Sequence, residues 1–304
     1  MSRPVPFALL AASTLVLAAC AGSASDDTPV AIATTTPLGS VVGDIAACAG
    51  GTSETLMGAG DDPHTFAASS AQVADMTRTG LVVMNGLGLE EGLQTAIAGA
   101  EADGATVLEI APLVDPLPFG DEGGAAGEGS LDPHFWMDVA RMAAAARIIG
   151  DELAAATSED SYATCGAGVA ESLLETDAQV REILATVPED RRVLVTDHDA
   201  FGYLAAAYGY QVAGVVVAGG STDAEPSSAD LAAIVEVVRR TGTPAIFSNS
   251  ALSPALIESV AAEVETDVAV VPLYVESVGP AGSGAETYAG MMLSNASAIA
   301  DALG

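Results

Sequence analysis

The sequence predicts an α/β protein of two lobes, each built on a parallel sheet flanked by helices. Short apolar, β-branched runs alternate with longer helical patterns, as in parallel strands covered on both faces. The alternation occurs once before residue 130 and again after residue 190, with a helical stretch between. The chain has 304 residues, half of them hydrophobic, which excludes a disordered polypeptide and suits one large domain or two medium ones.

Taken in order, residues 30–34, 81–85 and 105–109 read as strands, with a helix over 38–48. Residues 133–156 and 169–185 form the helical middle. Beyond it, 192–196, 211–217, 245–248 and 268–273 repeat the strand signal, and 200–208, 228–240 and 254–265 read as the helices between them. Residues 120–130 (GDEGGAAGEGS) are acidic, Gly-rich and without apolar period, and read as a solvated loop. Aromatic residues make up only 4%, so the core has to be built from Ala, Val, Leu and Ile.

The first nineteen residues read as an export signal. Arg3 supplies the early positive charge, and residues 7–19 run apolar over a length too short to span a bilayer. The run ends Leu17-Ala18-Ala19-Cys20, which resembles a bacterial lipobox, so cleavage would leave Cys20 as a lipidated first residue. Residues 20–28 (CAGSASDDT) then form a polar tether. The expected location is extracytoplasmic, attached to the membrane through the lipid alone. With Cys20 modified, Cys48 and Cys165 remain, and an even pair in an exported chain suggests a disulfide.

Nine basic residues, all arginine, face 41 acidic ones, for a formal charge of −32. Such a surface repels phosphate backbones and excludes nucleic-acid binding; its long-range field concentrates cations instead.

The three histidines share one setting. His64 sits in Asp61-Asp62-Pro63-His64, His134 in Asp132-Pro133-His134-Phe135-Trp136, and His198 in Thr196-Asp197-His198-Asp199. The Asp-Pro pairs read as helix N-caps that fix the next side chain at a helix mouth. His198 follows an apolar strand, at the strand ends where open α/β sheets bind ligands. Asp197 and Asp199 can each hold an imidazole tautomer by accepting its second N–H. Together the three point to a metal site assembled by tertiary structure. Glu276, just past the last strand, is the candidate fourth ligand. Three imidazoles and one carboxylate suit Zn²⁺ better than Ca²⁺ or Mg²⁺. The imidazoles must be neutral to bind, so affinity should fall as pH drops through the region near 6.5.

The ordered set of motifs resembles the zinc/manganese class of ABC-transporter solute-binding lipoproteins over nearly the whole mature chain. It comprises Asp62-Pro63-His64 with Phe66, Asn85-Gly86-Leu87-Gly88-Leu89-Glu90, Asp132-Pro133-His134-Phe135-Trp136 and His198-Asp199-Ala200-Phe201-Gly202-Tyr203. Ser221-Thr222-Asp223-Ala224-Glu225-Pro226-Ser227 and Thr287-Tyr288-Ala289-Gly290-Met291-Met292 complete it. The resemblance implies two lobes joined by one long rigid helix, with the metal between them, and delivery to a membrane permease driven by a cytoplasmic ATPase. It divides the chain into a 29–160 lobe, a 161–188 linking helix and a 189–304 lobe, in a monomer. Two ligands match His64 and His134; the third, here His198, is His in zinc binders and Glu in manganese binders. The family's usual fourth ligand is Asp, and here Glu276 is one methylene longer. Asn249 stands where many relatives carry an acid and is not counted as a ligand. The His-rich loop of some zinc members is replaced by the acidic 120–130 stretch.

Other motifs read as structural: Ser227 and Asp230 as a capping box, Met291 and Met292 as core, and Gly86-x-Gly88 as too short for a phosphate fingerprint. The rival readings are an exported zinc hydrolase with Asp197 or Glu276 as general base, a manganese-specific binder, and an adhesin stabilised by metal. The sequence carries neither a His-Glu-x-x-His helix nor a Gly-x-Ser-x-Gly elbow. The expectation is therefore a non-catalytic, lipid-anchored protein that captures Zn²⁺, with Mn²⁺ second, and whose lobes or 274–284 segment shift modestly on loading.

Overall fold

A computed structural model describes residues 28–120, 130–217, 222, 226–251, 253, 255–264 and 267–304. The export signal, Cys20, most of the tether and most of the Gly-rich stretch lie outside these residues. So do Ser221 and residues 223–225.

Two four-stranded, all-parallel sheets organise the chain. The first runs β2 (Ser53–Thr55), β1 (Ala31–Ala33), β3 (Leu81–Met84), β4 (Thr106–Glu109). The second runs β6 (Gln211–Val217), β5 (Val193–His198), β7 (Ala245–Asn249), β8 (Ala269–Leu273). The order reverses between β1 and β3 and again between β5 and β7, so each sheet has a switch point at its carboxyl edge, where this architecture opens a crevice. Helices α1 (Thr36–Ala49), α2 (Ser70–Thr79) and α3 (Gln94–Ala102) belong to the first half. The second half holds α6 (Gly202–Tyr208), α7 (Ser228–Thr241), α8 (Ala255–Glu263) and α9 (Tyr288–Leu303). The predicted fold class is the observed one; β2, α2, α3 and α9 are additions to the elements foreseen.

Between the halves, α4 (Val139–Thr157) and α5 (Ser161–Leu184) form an antiparallel hairpin. Gly150 and Gly166 let the two backbones touch: a Cβ on Gly150 would stand 2.8 Å from the Gly166 Cα. At 24 residues, α5 extends about 36 Å, and it packs against α1, α4 and α9. It begins eight residues before the predicted 169–185 helix, because small residues of its first turns, such as Gly166, fit against α4.

The predicted helix over 133–156 starts instead at Val139. Asp138 caps it, accepting from the Ala140 amide at 2.9 Å, and residues 135–137 form a short 3-10 turn ahead of it. The capping box of α7 is present, with Ser227 and Asp230 bonded reciprocally.

One continuous core joins the sheets. Phe135, Trp136, Tyr203, Phe247, Tyr288, Met291 and Met292 are all fully or almost fully buried in it, together with the inner faces of α1, α4, α5 and α9. The outer face of each sheet has its own smaller core, under α2 and α3 in one case and α7 and α8 in the other. Cys48 of α1 is bridged to Cys165 of α5, tying the first sheet's helix to the long one.

Candidate metal centre

The two Asp-Pro-His segments adopt a local form different from the helix caps expected. In each, the aspartate Oδ1 accepts from the amide of the histidine two residues on, at 3.0 Å for Asp62 and 2.9 Å for Asp132. Neither begins an α-helix; Ser69 caps α2 and Asp138 caps α4. A short polar side chain bonding its own backbone two residues on competes with helix initiation and makes a turn instead. The effect is the one needed, a histidine held rigidly on a loop, with Pro setting the backbone before it.

His198 is the last residue of β5 and not the first beyond it. Glu276 lies three residues past β8. His64, on the loop after β2, and His134, on the connection between β4 and α4, meet these two across the crevice. The four side chains are 3%, 0%, 1% and 1% exposed for His64, His134, His198 and Glu276. One ligand atom from each lies within 4.8 Å of every other.

The convergence is on one oxygen. Glu276 Oε1 is 2.6 Å from His198 Nε2, 3.5 Å from His134 Nε2 and 3.8 Å from His64 Nε2. The opposite ring nitrogens explain why Nε2 faces inward. Asp132 Oδ1 lies 2.7 Å from His134 Nδ1, and Asp197 Oδ1 lies 3.0 Å from His198 Nδ1. An Nδ1–H donated to carboxylate leaves the neutral ring with its lone pair on Nε2, where a metal would take it. Asp197 is itself fixed, since its Oδ2 accepts the Asn249 amide. Meanwhile His64 Nε2, His134 Nε2 and Glu276 Oε2 are buried with no hydrogen-bond partner. Buried orphans of this kind are costly and uncommon in finished structures. Tetrahedral ligands around a zinc-sized ion stand about 3.3 Å apart, so the spacings to His134 and His64 already approach what a metal requires.

Electrostatics bind the group together. Burial is the largest single influence on His134 and disfavours its charged ring, but Asp132 and Glu276 outweigh it and hold the ring up at about 9. Burial likewise opposes charge on His198, and Asp197 with Glu276 carry it to about 10. Glu276 is pushed upward by burial, yet the three imidazoles around it, His198 in hydrogen-bond contact and the other two close by, keep it well below the usual carboxylate range. Without metal, the centre thus pairs the Glu276 carboxylate with protonated rings at His134 and His198.

The sequence-predicted residues divide clearly. Asp197 contacts an imidazole as expected. Asp199 does not: it is buried, its Oδ2 has no partner, and burial reinforced by the Asp132 charge pushes its carboxyl up to about 6. Asp132, which the Asp-Pro motif presents as a helix cap, is the carboxylate that holds the second ring. Asn249 turns its side-chain oxygen back to the Ala251 amide, 3.0 Å away. Also missed is the support behind the loops. Buried Glu90 accepts from Thr34 Oγ1 and the Asn85 amide, both at 2.7 Å, and Asn85 Nδ2 donates to the Pro133 carbonyl at 2.9 Å, one residue before His134. In the sequence this support is signalled by the Asn85-Gly86-Leu87-Gly88-Leu89-Glu90 motif alone.

The family model described as zinc-uptake complex component A, periplasmic, matches residues 32–302. The zinc-binding protein TroA of Treponema pallidum is 30% identical over 256 residues, covering 82% of this chain and 80% of that protein. The manganese-binding lipoprotein MntA of Bacillus subtilis is 30% identical over 307 residues, covering 96% of each. The solved structure of the periplasmic zinc binding protein TroA from Treponema pallidum superposes with a TM-score of 0.81 at 28% identity, over 91% of this chain and 99% of that one. A family model matched over residues 32–302 and two relatives 30% identical over most of the chain show that the chain belongs to this family of metal-binding ABC-transporter solute-binding proteins.

Proposed function

We propose that this chain captures a divalent transition metal, Zn²⁺ in preference to Mn²⁺, through His64, His134, His198 and Glu276. The carrying observation is the convergence of three imidazole Nε2 atoms and one carboxylate oxygen within 4.8 Å in a fully buried cluster. Two of the rings are already oriented for it by aspartates. Three nitrogens and one oxygen form a borderline-soft set that zinc fills without geometric preference, and the Irving–Williams order favours zinc over manganese at such sites. The similarity to TroA, described as zinc-binding, agrees with this; the similarity to MntA, described as manganese-binding, makes manganese the second reading.

The captured ion is then handed to an ABC permease powered by its ATPase, and the protein itself performs no catalysis. Four side-chain donors leave no protein-free position for an activated water, unlike catalytic zinc sites with three. On this reading residues 1–19 are removed, Cys20 carries the lipid, residues 20–28 are the tether, and a monomer presents its metal between the 29–160 and 189–304 lobes about the 161–188 helix.

The test is elemental. The protein is stripped, offered equal Zn²⁺ and Mn²⁺, desalted, and its metal atoms counted. One zinc per chain, lost in His198→Ala, supports the proposal. Manganese loading overturns the zinc preference, and no retained metal overturns metal capture.

A further inference from the structure

The fourth ligand sits on a segment whose backbone is held by side chains from elsewhere in the chain. Asn295 of α9 clasps Tyr274 on both sides: its Oδ1 accepts the Tyr274 amide at 2.9 Å and its Nδ2 donates to the Tyr274 carbonyl at 2.7 Å. The Trp136 indole donates to the Val275 carbonyl at 2.8 Å. Val278 donates its amide to Thr36 Oγ1 at 2.9 Å, and the Gly60 amide donates to Ser277 Oγ at 2.9 Å. Glu276 is therefore bracketed by bonds on both flanks, although its carboxylate reaches only the histidines.

Trp136 differs from the other holders in touching both halves of the centre. It lies two residues beyond His134, and its ring packs beside that imidazole with centroids 5.2 Å apart. Its own carbonyl accepts from the Tyr288 hydroxyl at 2.7 Å, and its side chain is 2% exposed. A rigid indole thus spans from one ligand to the residue preceding another, between sequence positions 139 residues apart. Packing alone asks only for an aromatic ring here. The N–H matters because without it the buried Val275 carbonyl loses its partner, and the segment relaxes to find one.

We infer that Trp136 is a positioning residue for Glu276, with Asn295 as its counterpart on the other side of the segment, and that together they set metal affinity through the place of that carboxylate. The inference rests on the metal-capture reading. Outer groups that orient ligands ordinarily change metal affinity about 10- to 100-fold when removed.

The experiment uses Trp136→Phe, which keeps an aromatic ring and removes the N–H, in the full chain and again in a Glu276→Ala background. Zinc affinity is measured by chelator competition. The expected result is a loss of about 10- to 100-fold in the first background that disappears in the second, because a residue acting through Glu276 has nothing to act on once it is gone. An unchanged affinity, or the same loss in both backgrounds, overturns the inference. Hydrogen exchange of the 275–278 amides in metal-free protein gives a readout without zinc: faster exchange there, with α4 and α9 unchanged, is expected, and uniform acceleration overturns it. Should the wild-type chain retain no zinc, the capture reading fails while the exchange arm still judges the tie. If Trp136→Phe does not fold, Asn295→Asp, which keeps the acceptor and removes the donor, is measured in the same two backgrounds with the same outcomes.

Discussion

His198 Nε2 and Glu276 Oε1 lie 2.6 Å apart, closer than two ligands of one tetrahedral ion can stand. The contact is a charge-assisted hydrogen bond between a protonated ring and a carboxylate, and an incoming metal has to replace its proton and separate the pair by roughly 0.7 Å. A shift of the lobes or of the 274–284 segment on loading would therefore begin at the Glu276 side chain.

Glu276→Gln should reveal how much of the ring charging comes from this carboxylate. In the metal-free protein, NMR titration of His198 should show its midpoint falling from about 10 toward the ordinary 6.5, with Asp197 keeping part of the elevation. Zinc affinity should fall by about 100-fold or more, beyond what loss of an orienting group costs. A midpoint unmoved by the substitution would mean that Asp197 alone charges the ring.

The pH dependence expected from an ordinary histidine is displaced upward. His134 and His198 are held at about 9 and about 10, so at pH 7 both carry protons that a metal must expel. Zinc affinity should rise steadily from pH 7 to 9, by about tenfold per pH unit for each proton released, and calorimetry in buffers of different ionisation heat should count up to two protons. For the metal-free fold the sign is opposite. A ring whose folded value lies above its unfolded 6.5 contributes stability that is full below 6.5 and lost as pH rises through 9 to 10. Thermal melts of stripped protein at pH 6.5 and 10.5 should differ in that direction.

Asp132 and Asp199 should behave oppositely on conversion to Asn. Asp132→Asn removes the oxygen that orients His134, and zinc affinity should fall about 10- to 100-fold. Asp199 orients neither ring, and its carboxyl, raised by burial to about 6, is a cost to the fold above that pH. Asp199→Asn should therefore raise stability at pH 7.5 by on the order of 1 kcal/mol, with zinc affinity nearly unchanged. Paired melts and chelator titrations of the two variants check this.

Replacing Cys48 and Cys165 by Ser opens a loop spanning 117 positions. The chain-entropy account gives about 4–5 kcal/mol for a loop of that size. Denaturant unfolding should show a loss of that order, while zinc stoichiometry stays at one, because the bridge joins α1 to α5 and not the ligand loops.

The alternation of apolar strand and helix determined the two-sheet architecture, since strands buried on both faces have to be continuously apolar wherever they lie in a fold. It missed β2, because Ser53, Glu54 and Thr55 form an edge strand open to solvent and carry no apolar signal. It also missed α2 and α9. The α2 sequence is polar overall, with Met76 its one fully buried residue, and α9 carries Gly290, Ser294, Asn295 and Ser297, which are weaker helix formers than alanine.

The histidines were legible for a compositional reason: a chain that uses only three, each beside aspartate, is spending them on one purpose. The sequence by itself determined which residue types were available for a metal, that Asp197 stands next to His198, and that Cys48 and Cys165 were a pair suited to a disulfide; the structure joins them. Only the tertiary structure decided that Asp132 and not Asp199 holds a ring, and that Trp136 and Asn295 hold the Glu276 segment. The reason is geometric. Asp197 is the penultimate residue of β5 and Asp199 lies past the strand's end, where the chain has left the sheet, so the two share the sequence neighbourhood of His198 without sharing its hydrogen bond. Partners 139 and 21 residues away leave no trace in spacing at all.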